Sequence, residues 1–146
     1  MKKLFIIILL CITIKQIAQE IRLGEQFNKY EKDFILKGIS SSTSNKYYEF
    51  LKPITRLIYD RKVDKLYVTI RNNKIISYIY MIIPKSNDIN IPKDIISGFE
   101  NEMNVKLIYN NGKYGIKGSG LMTQFSREYD PETKKDRIMI STAISN

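Results

Sequence analysis

Apolar and polar residues alternate over two neighbouring stretches in the middle of the chain. Between Lys65 and Ile70 every second side chain is aliphatic, and residues 75–83 form a second run rich in Ile and Tyr. A period of two is typical of β-strands, and the polar residues 71–74 between the runs suit a turn. The pattern predicts a β-hairpin over residues 65–83.

Two other stretches have helical spacing. Apolar residues at three, seven and eight positions after Phe27 lie on one helical face and predict a first helix over residues 25–37. Gly38 suits the position that follows the end of this helix. The residues on that face are Phe27, Tyr30, Phe34 and Ile35. A similar stripe that follows Pro92 predicts a second helix over residues 92–104.

The remaining segments favour strands. Residues 46–60 fit either a helix or a strand, but Pro53 argues against a continuous helix, and we expect an extended piece over 46–52. Three or four further strands follow residue 105, and the turn-forming pair Asn111-Gly112 predicts a hairpin among them. The predicted fold class is α+β: a mostly antiparallel sheet of about five or six strands with two helices packed on one face, forming a single domain over residues 20–146.

The first nineteen residues have the layout of a secretory signal peptide. Lys2 and Lys3 precede an apolar run from Leu4 to Ile14, and Ala18 provides a small residue for cleavage. The run is shorter than the roughly 20 residues that a membrane-spanning helix needs. We therefore expect residues 1–19 to be removed and the protein to be periplasmic or secreted. An uncleaved anchor and a buried helix are the alternatives.

Cys11 allows a different form of export. A lipoprotein signal ends at a cysteine that becomes acylated, but such a signal normally has a small residue before the cysteine, where this chain has Leu10. Cys11 therefore fits better as one more apolar residue of the signal peptide. Lipid anchoring through Cys11 is the less favoured alternative.

Composition excludes several kinds of chemistry. The chain of 146 residues has no His and one Cys. Histidine-based nucleophilic catalysis, histidine metal sites and internal disulfides are therefore ruled out. The net charge is +9, but the basic residues are scattered among acidic ones, so we expect no nucleic-acid surface. We also expect no cofactor, and no membrane span after removal of the signal peptide.

Carboxylates and glycines give three weak candidates for chemistry. The acidic pairs Asp60/Asp64 and Glu100/Glu102 fit solvated surfaces better than an acid–base pair. Asp88, Asn90 and Asp94 are suitable calcium ligands by type, but their spacing differs from that of an EF-hand loop. The glycine-rich segment 115–120 lies between predicted strands and matches no phosphate-binding motif. We predict neither catalytic nor metal-binding residues.

Tyrosine is the unusual component, with ten residues in the chain. Tyrosine combines a large apolar surface with a polar tip and is enriched in binding interfaces. Tyr78 and Tyr80 share one face of their predicted strand, and Tyr67 joins them if the hairpin has a four-residue turn. We predict a binding face formed by Tyr67, Tyr78 and Tyr80. The alternative is that the second helix covers this face and the three rings belong to the core.

The segment Ile21-Arg22-Leu23-Gly24 before a short helix, followed by the hairpin over 65–83, resembles small exported bacterial domains. These are the SmpA/OmlA-like outer-membrane-assembly lipoproteins and the β-lactamase-inhibitor-like domains. The signal peptide, which ends in Ala18-Gln19, resembles those of the Bacteroidetes. The resemblance implies binding or scaffolding. The chain departs from these families in two ways: its lipoprotein signal is poor, and it lacks their second helix-entry motif.

Together these features predict an exported, non-catalytic binding or envelope-associated protein that contacts a protein or another envelope component. One alternative is a hydrolase that uses only carboxylates and acts on envelope polysaccharide. It requires two acids about 5–10 Å apart in a cleft. The other alternative is an inhibitor or immunity-type protein.

Overall fold

A computed structural model describes residues 21–118 and 120–145, and the predicted signal peptide at 1–19 lies outside these ranges. Within them, one α-helix accompanies nine strands that form an antiparallel sheet. The elements are β1 (Phe34–Ile39), β2 (Lys46–Phe50), β3 (Leu57–Ile58), β4 (Arg61–Arg71), β5 (Lys74–Ile82), α1 (Lys93–Met103), β6 (Ile108–Asn110), β7 (Lys113–Gly118), β8 (Leu121–Asp130) and β9 (Lys135–Ile144).

The strands lie in the order β1-β2-β4-β5-β9-β8-β7-β6, and the short β3 pairs with β4 beside this path. Most neighbours in the sheet are also neighbours in sequence. Of the two exceptions, the β2–β4 pair skips only the short β3, whereas the β5–β9 pair at the centre joins distant parts of the chain. The β5–β9 pair arises because α1 carries the chain from β5 to the far edge, from which β6 to β9 return strand by strand.

The core lies between α1 and one face of the sheet, which we call the helix face. Phe99 of α1 packs edge-on against Phe125 of β8, with ring centroids 5.0 Å apart. Ile95 and Ile96 on the same helix are also buried. The helix begins after Pro92 and ends at Asn104, whose left-handed backbone (φ 52°) suits an asparagine at a helix end. Buried side chains that line this core include Leu66, Val68, Ile75, Ile82, Phe125, Ile138 and Ile140.

The prediction of an α+β fold with two helices and five or six strands is wrong. The fold is closer to all-β, because the segment 25–37 forms two 3₁₀ turns followed by β1 instead of a helix. Phe27 and Phe34 are both buried, as a helical face would require, but Ile35 is 48% exposed. Pairing of β1 with the tyrosine-rich β2 overrides the weak helical preference of this segment.

Other predicted elements are confirmed. The hairpin over 65–83 corresponds to β4 and β5, and the helix over 92–104 corresponds to α1. The extended piece predicted at 46–52 is β2, which ends before Pro53. Within the residues that the structure describes, no helix combines the length and apolar character needed to cross a bilayer.

Candidate functional site

The three tyrosines of the predicted binding face lie on opposite faces of the sheet. Tyr78 pairs with Val68 and Tyr80 with Leu66, so both rings lie on the helix face. Tyr67 pairs with Ile79 and therefore lies on the other face, which we call the far face. The structure brings together Tyr78 and Tyr80, whose ring centroids are 5.5 Å apart, and separates Tyr67 from them.

A bulge that follows the turn of this hairpin causes the separation. Asn72 and Asn73 both have positive φ angles and form a two-residue turn, with Arg71 paired to Lys74. The register then shifts by one residue at Ile76, which reverses the face of every later side chain in β5. The prediction that Tyr67 shares a face with Tyr78 and Tyr80 assumes a four-residue turn over 71–74 followed by a regular strand, without this bulge.

Tyr78 and Tyr80 are half-buried and pack against the core. Burial raises the pKa of the Tyr80 hydroxyl, while the nearby Arg56 acts in the opposite direction. The Arg56 guanidinium lies 5.7 Å from the centre of the Tyr80 ring, a distance suited to a cation–π contact. The contacts of Tyr78 and Tyr80 agree in part with the alternative that these rings belong to the core. A binding role for the pair stays a prediction.

Tyr67 lies beside a group of charges on the far face. We call this group the charged clasp: Lys37 of β1, Lys65 of β4, and Asp130 and Glu132 at the β8–β9 turn. Burial raises the pKa of the Tyr67 hydroxyl, and the Glu49 carboxylate adds to the effect.

The charged clasp joins strands that are distant in the sheet. Glu132 accepts hydrogen bonds from Lys37 Nζ at 3.2 Å and from Lys65 Nζ at 2.6 Å. Because β2, β4 and β5 lie between β1 and β9 in the sheet, these contacts tie the β8–β9 turn to strands that are not its neighbours. These hydrogen bonds, led by that of Lys65, lower the pKa of Glu132.

Two acids that the sequence analysis considered as calcium ligands converge on Arg61 instead. Arg61 is 4% exposed and donates to both carboxylate oxygens of Asp88 and of Asp94. Its hydrogen bonds lower the pKa of each carboxyl. Arg127 donates to the backbone oxygens of Asp88 and Asn90, which fixes the same loop.

Three of the four acids in the other two pairs, Asp64, Glu100 and Glu102, also have structural partners. Asp64 binds the buried Arg137 of β9 at 2.8 Å. Glu100 accepts from the Leu107 backbone N–H, and Glu102 from the Tyr59 hydroxyl. No group of three or more potential metal ligands occurs among residues 21–118 and 120–145.

An edge strand with exposed apolar side chains is the feature that the sequence analysis missed. In the described part of the sheet, β1 pairs only with β2. Ile35, Leu36 and Ile39 on this strand are 48%, 45% and 58% exposed. The sequence signal was the run Phe34-Ile35-Leu36, which fits a strand as well as a helical stripe.

Comparison with known proteins gives no relative. No protein family, curated protein or solved structure matches this chain. The resemblance to exported bacterial domains therefore stays a prediction.

Proposed function

We propose that this chain is an exported, non-catalytic binding protein that takes up a strand of a partner protein along β1. The observation that carries this proposal is a set of three exposed apolar residues, Ile35, Leu36 and Ile39, spread over both faces of an edge strand. An edge strand offers unpaired backbone groups to another chain, and soluble proteins usually protect such edges with charges, proline or a covering segment. Strand addition combines these backbone groups with pockets or patches for alternate side chains.

The other end of the sheet is a poorer candidate. Strand β6 has only three residues, Ile108–Asn110, which limits the number of backbone hydrogen bonds that a partner can form. Strand β1 has six residues and carries Lys37, whose ammonium is already held by Glu49 and Glu132. The exposed side chains of β1 are therefore mainly apolar. Residues 20–146 keep a net charge of +6, since three of the 24 basic residues and none of the 15 acidic ones lie in residues 1–19. An apolar strand flanked by acidic residues therefore suits this protein best.

The carboxylates favour binding over hydrolysis. Acid–base catalysis by two carboxyl groups needs one of them to stay protonated near neutral pH, with a raised pKa. The two acids that converge, Asp88 and Asp94, both have lowered pKa values because Arg61 binds them. The pKa values of Asp130 and Glu132 are lowered as well. These carboxylates are ionised and engaged in ion pairs or hydrogen bonds, which suits a structural role.

Site-specific cross-linking tests the proposal. A photoreactive amino acid at position 36 should cross-link to one partner in an envelope extract of the source organism. The same amino acid at position 89 is the matched control, because Ile89 is 84% exposed but lies in the loop before α1. A partner captured equally from both positions would argue against docking on β1.

Hydrogen exchange of the isolated complex gives the second measurement. Backbone amides of residues 34–39 should exchange more slowly once the partner adds a strand. The Ile39→Lys variant should weaken the complex, whereas Ile89→Lys should leave it unchanged. A complex that forms without protection of β1 would contradict the proposal.

A further inference from the structure

A cavity lies at the end of the sheet where three turns meet. Its volume is about 310 Å³. The turns are the 3₁₀ segment that contains Glu31, the β1–β2 turn at Ser44 and the β4–β5 turn at Asn72 and Asn73. At about 30 Å³ for each water molecule in the liquid, this space holds a ligand of roughly ten non-hydrogen atoms.

The floor of the cavity is apolar and preformed. Phe27, Tyr48 and Ile70 line it, and all three side chains are buried. The rings of Phe27 and Tyr48 pack together with centroids 4.4 Å apart. Phe27, Tyr48 and Ile70 are 2%, 8% and 4% exposed, so the floor offers a limited apolar surface to a small group and no open ring face on which a sugar could stack.

The rim carries two opposite charges that are not used by the fold. Glu31 and Lys46 line the cavity, yet neither side chain forms an ion pair or hydrogen bond with any residue in the described ranges. The charges of Glu31 and Lys46 are thus available to a ligand.

Two uncharged polar groups add to the rim. Ser44 and Asn72 line the cavity, and their side chains have no hydrogen-bond partner among the described residues. The surrounding backbone is fixed, because Phe27 N–H donates to the Asn73 carbonyl at 2.8 Å and Ser44 N–H donates to the Ser40 carbonyl at 2.9 Å. A preformed site loses little conformational freedom when a ligand binds.

We propose that this cavity binds a small zwitterion with an apolar side chain, specifically a free apolar α-amino acid. The ligand ammonium contacts Glu31, its carboxylate contacts Lys46, and its side chain lies on the floor formed by Phe27, Tyr48 and Ile70. Leucine has nine non-hydrogen atoms and fits the available volume. A phosphate would face the Glu31 carboxylate, and a neutral lipid would bury both charges without compensation.

Calorimetric titration of the purified protein with leucine and phenylalanine tests the proposal. Binding of at least one of them is expected, and it should be lost with N-acetyl-leucine, which lacks the cation, and with leucine amide, which lacks the anion. Glu31→Gln and Lys46→Gln should each weaken binding about tenfold or more, the usual effect of losing a hydrogen bond to a charged group. Lys62→Gln is the matched control, because Lys62 is exposed and lies outside the cavity.

Two outcomes would overturn the assignment. One is the absence of heat and of a thermal shift with both amino acids at millimolar concentration. The other is binding that Glu31→Gln and Lys46→Gln leave unchanged while both variants melt like the original protein. The assignment is independent of partner docking on β1, since the cross-linking readout at position 36 does not depend on an amino-acid ligand.

Discussion

The Arg61 guanidinium donates two parallel hydrogen bonds to the Asp88 carboxylate, from Nε to Oδ2 at 2.8 Å and from Nη2 to Oδ1 at 2.9 Å. Its remaining N–H groups donate to Asp94 and to the Tyr59 carbonyl, so every donor of the guanidinium has a partner. This group joins the start of β4 to the loop that leads into α1. The position of the helix on the sheet depends on it.

Replacement of Asp88 should be costly for stability. The Asp88 side chain is 6% exposed, and Asp88→Asn leaves the buried Arg61 without its main counter-ion. We expect a loss of about 3 kcal/mol, in the range found when one partner of a buried ion pair is removed. Asp94→Asn is the control, because the Asp94 side chain is 58% exposed and its replacement should cost less than about 1 kcal/mol. Urea unfolding of both variants measures the difference, and equal losses would count against a special role for Asp88.

Stability should fall at acidic pH. Arg61 holds the pKa values of Asp88 and Asp94 below those of the unfolded chain, so the unfolded state binds more protons than the folded state as the pH falls. The stabilisation is complete above the unfolded value of about 3.9 and is lost as the pH drops through the lower folded values. Unfolding free energies between about pH 6 and pH 2 measure this slope. The slope should be shallower in Asp88→Asn, and an unchanged slope would mean that other carboxylates cause it.

The register of β5 predicts different effects for two of its isoleucines. Ile82 is fully buried on the helix face, whereas Ile79 is half-buried on the far face. Ile82→Ala should destabilise the protein by about 2–5 kcal/mol, and Ile79→Ala by roughly 1 kcal/mol. Chemical denaturation distinguishes the two. A larger loss for Ile79→Ala would mean that the bulge at Ile76 is absent in solution.

Gly98 in α1 should resist replacement although alanine is the better helix former. A Cβ at this position lies 2.5 Å from Cε1 of Tyr59, so the ring must move. We expect Gly98→Ala to cost about 1–2 kcal/mol, despite a gain in helix propensity of about 1 kcal/mol. In a Tyr59→Ala background the same substitution should become stabilising. Thermal melts of the original protein, the two single variants and the double variant form a double-mutant cycle. Additive effects would show that the Tyr59 ring does not restrict this site.

The tyrosine pair on the helix face should behave as part of the core. Replacing both Tyr78 and Tyr80 by Ala removes two rings that pack on each other and on buried side chains, and should unfold the protein or lower its melting temperature strongly. Tyr109→Ala is the control, because Tyr109 is 62% exposed near the sheet edge. A well-folded double variant that has lost a partner would instead support the binding face predicted from the sequence.

The sequence predicts most strands because their signals are local. Alternation identifies β4, and the Asn111-Gly112 turn identifies the β6–β7 hairpin. The first helix fails as a prediction because the spacing from Phe27 to Ile35 matches a helical face, while the run Phe34-Ile35-Leu36 fits a strand equally well. The choice between the two comes from pairing with β2. Such pairing is a tertiary effect, which local periodicity does not contain.

The candidate sites were harder to predict than the strands. A one-residue bulge at Ile76 decides whether Tyr67 shares a face with Tyr78. No residue type in β5 predicts this bulge from the sequence. The cavity and the exposed edge depend on which elements meet in space. Nothing in the sequence around Glu31, Lys46 and Asn72 predicts a common site, because three turns of the folded chain bring them around one opening.

The path of the chain through α1 also constrains the order of folding. Hairpins such as β1–β2, β4–β5 and β8–β9 close between neighbouring segments and can form early. The central pairing of Ser77 with Ala143 joins segments that are far apart in sequence, and its loop-closure entropy has to be overcome before the sheet is continuous. Until β9 docks, β5 remains an open edge with a row of Ile and Tyr side chains. The interval before this last docking step is therefore when the chain is most exposed to aggregation through β5.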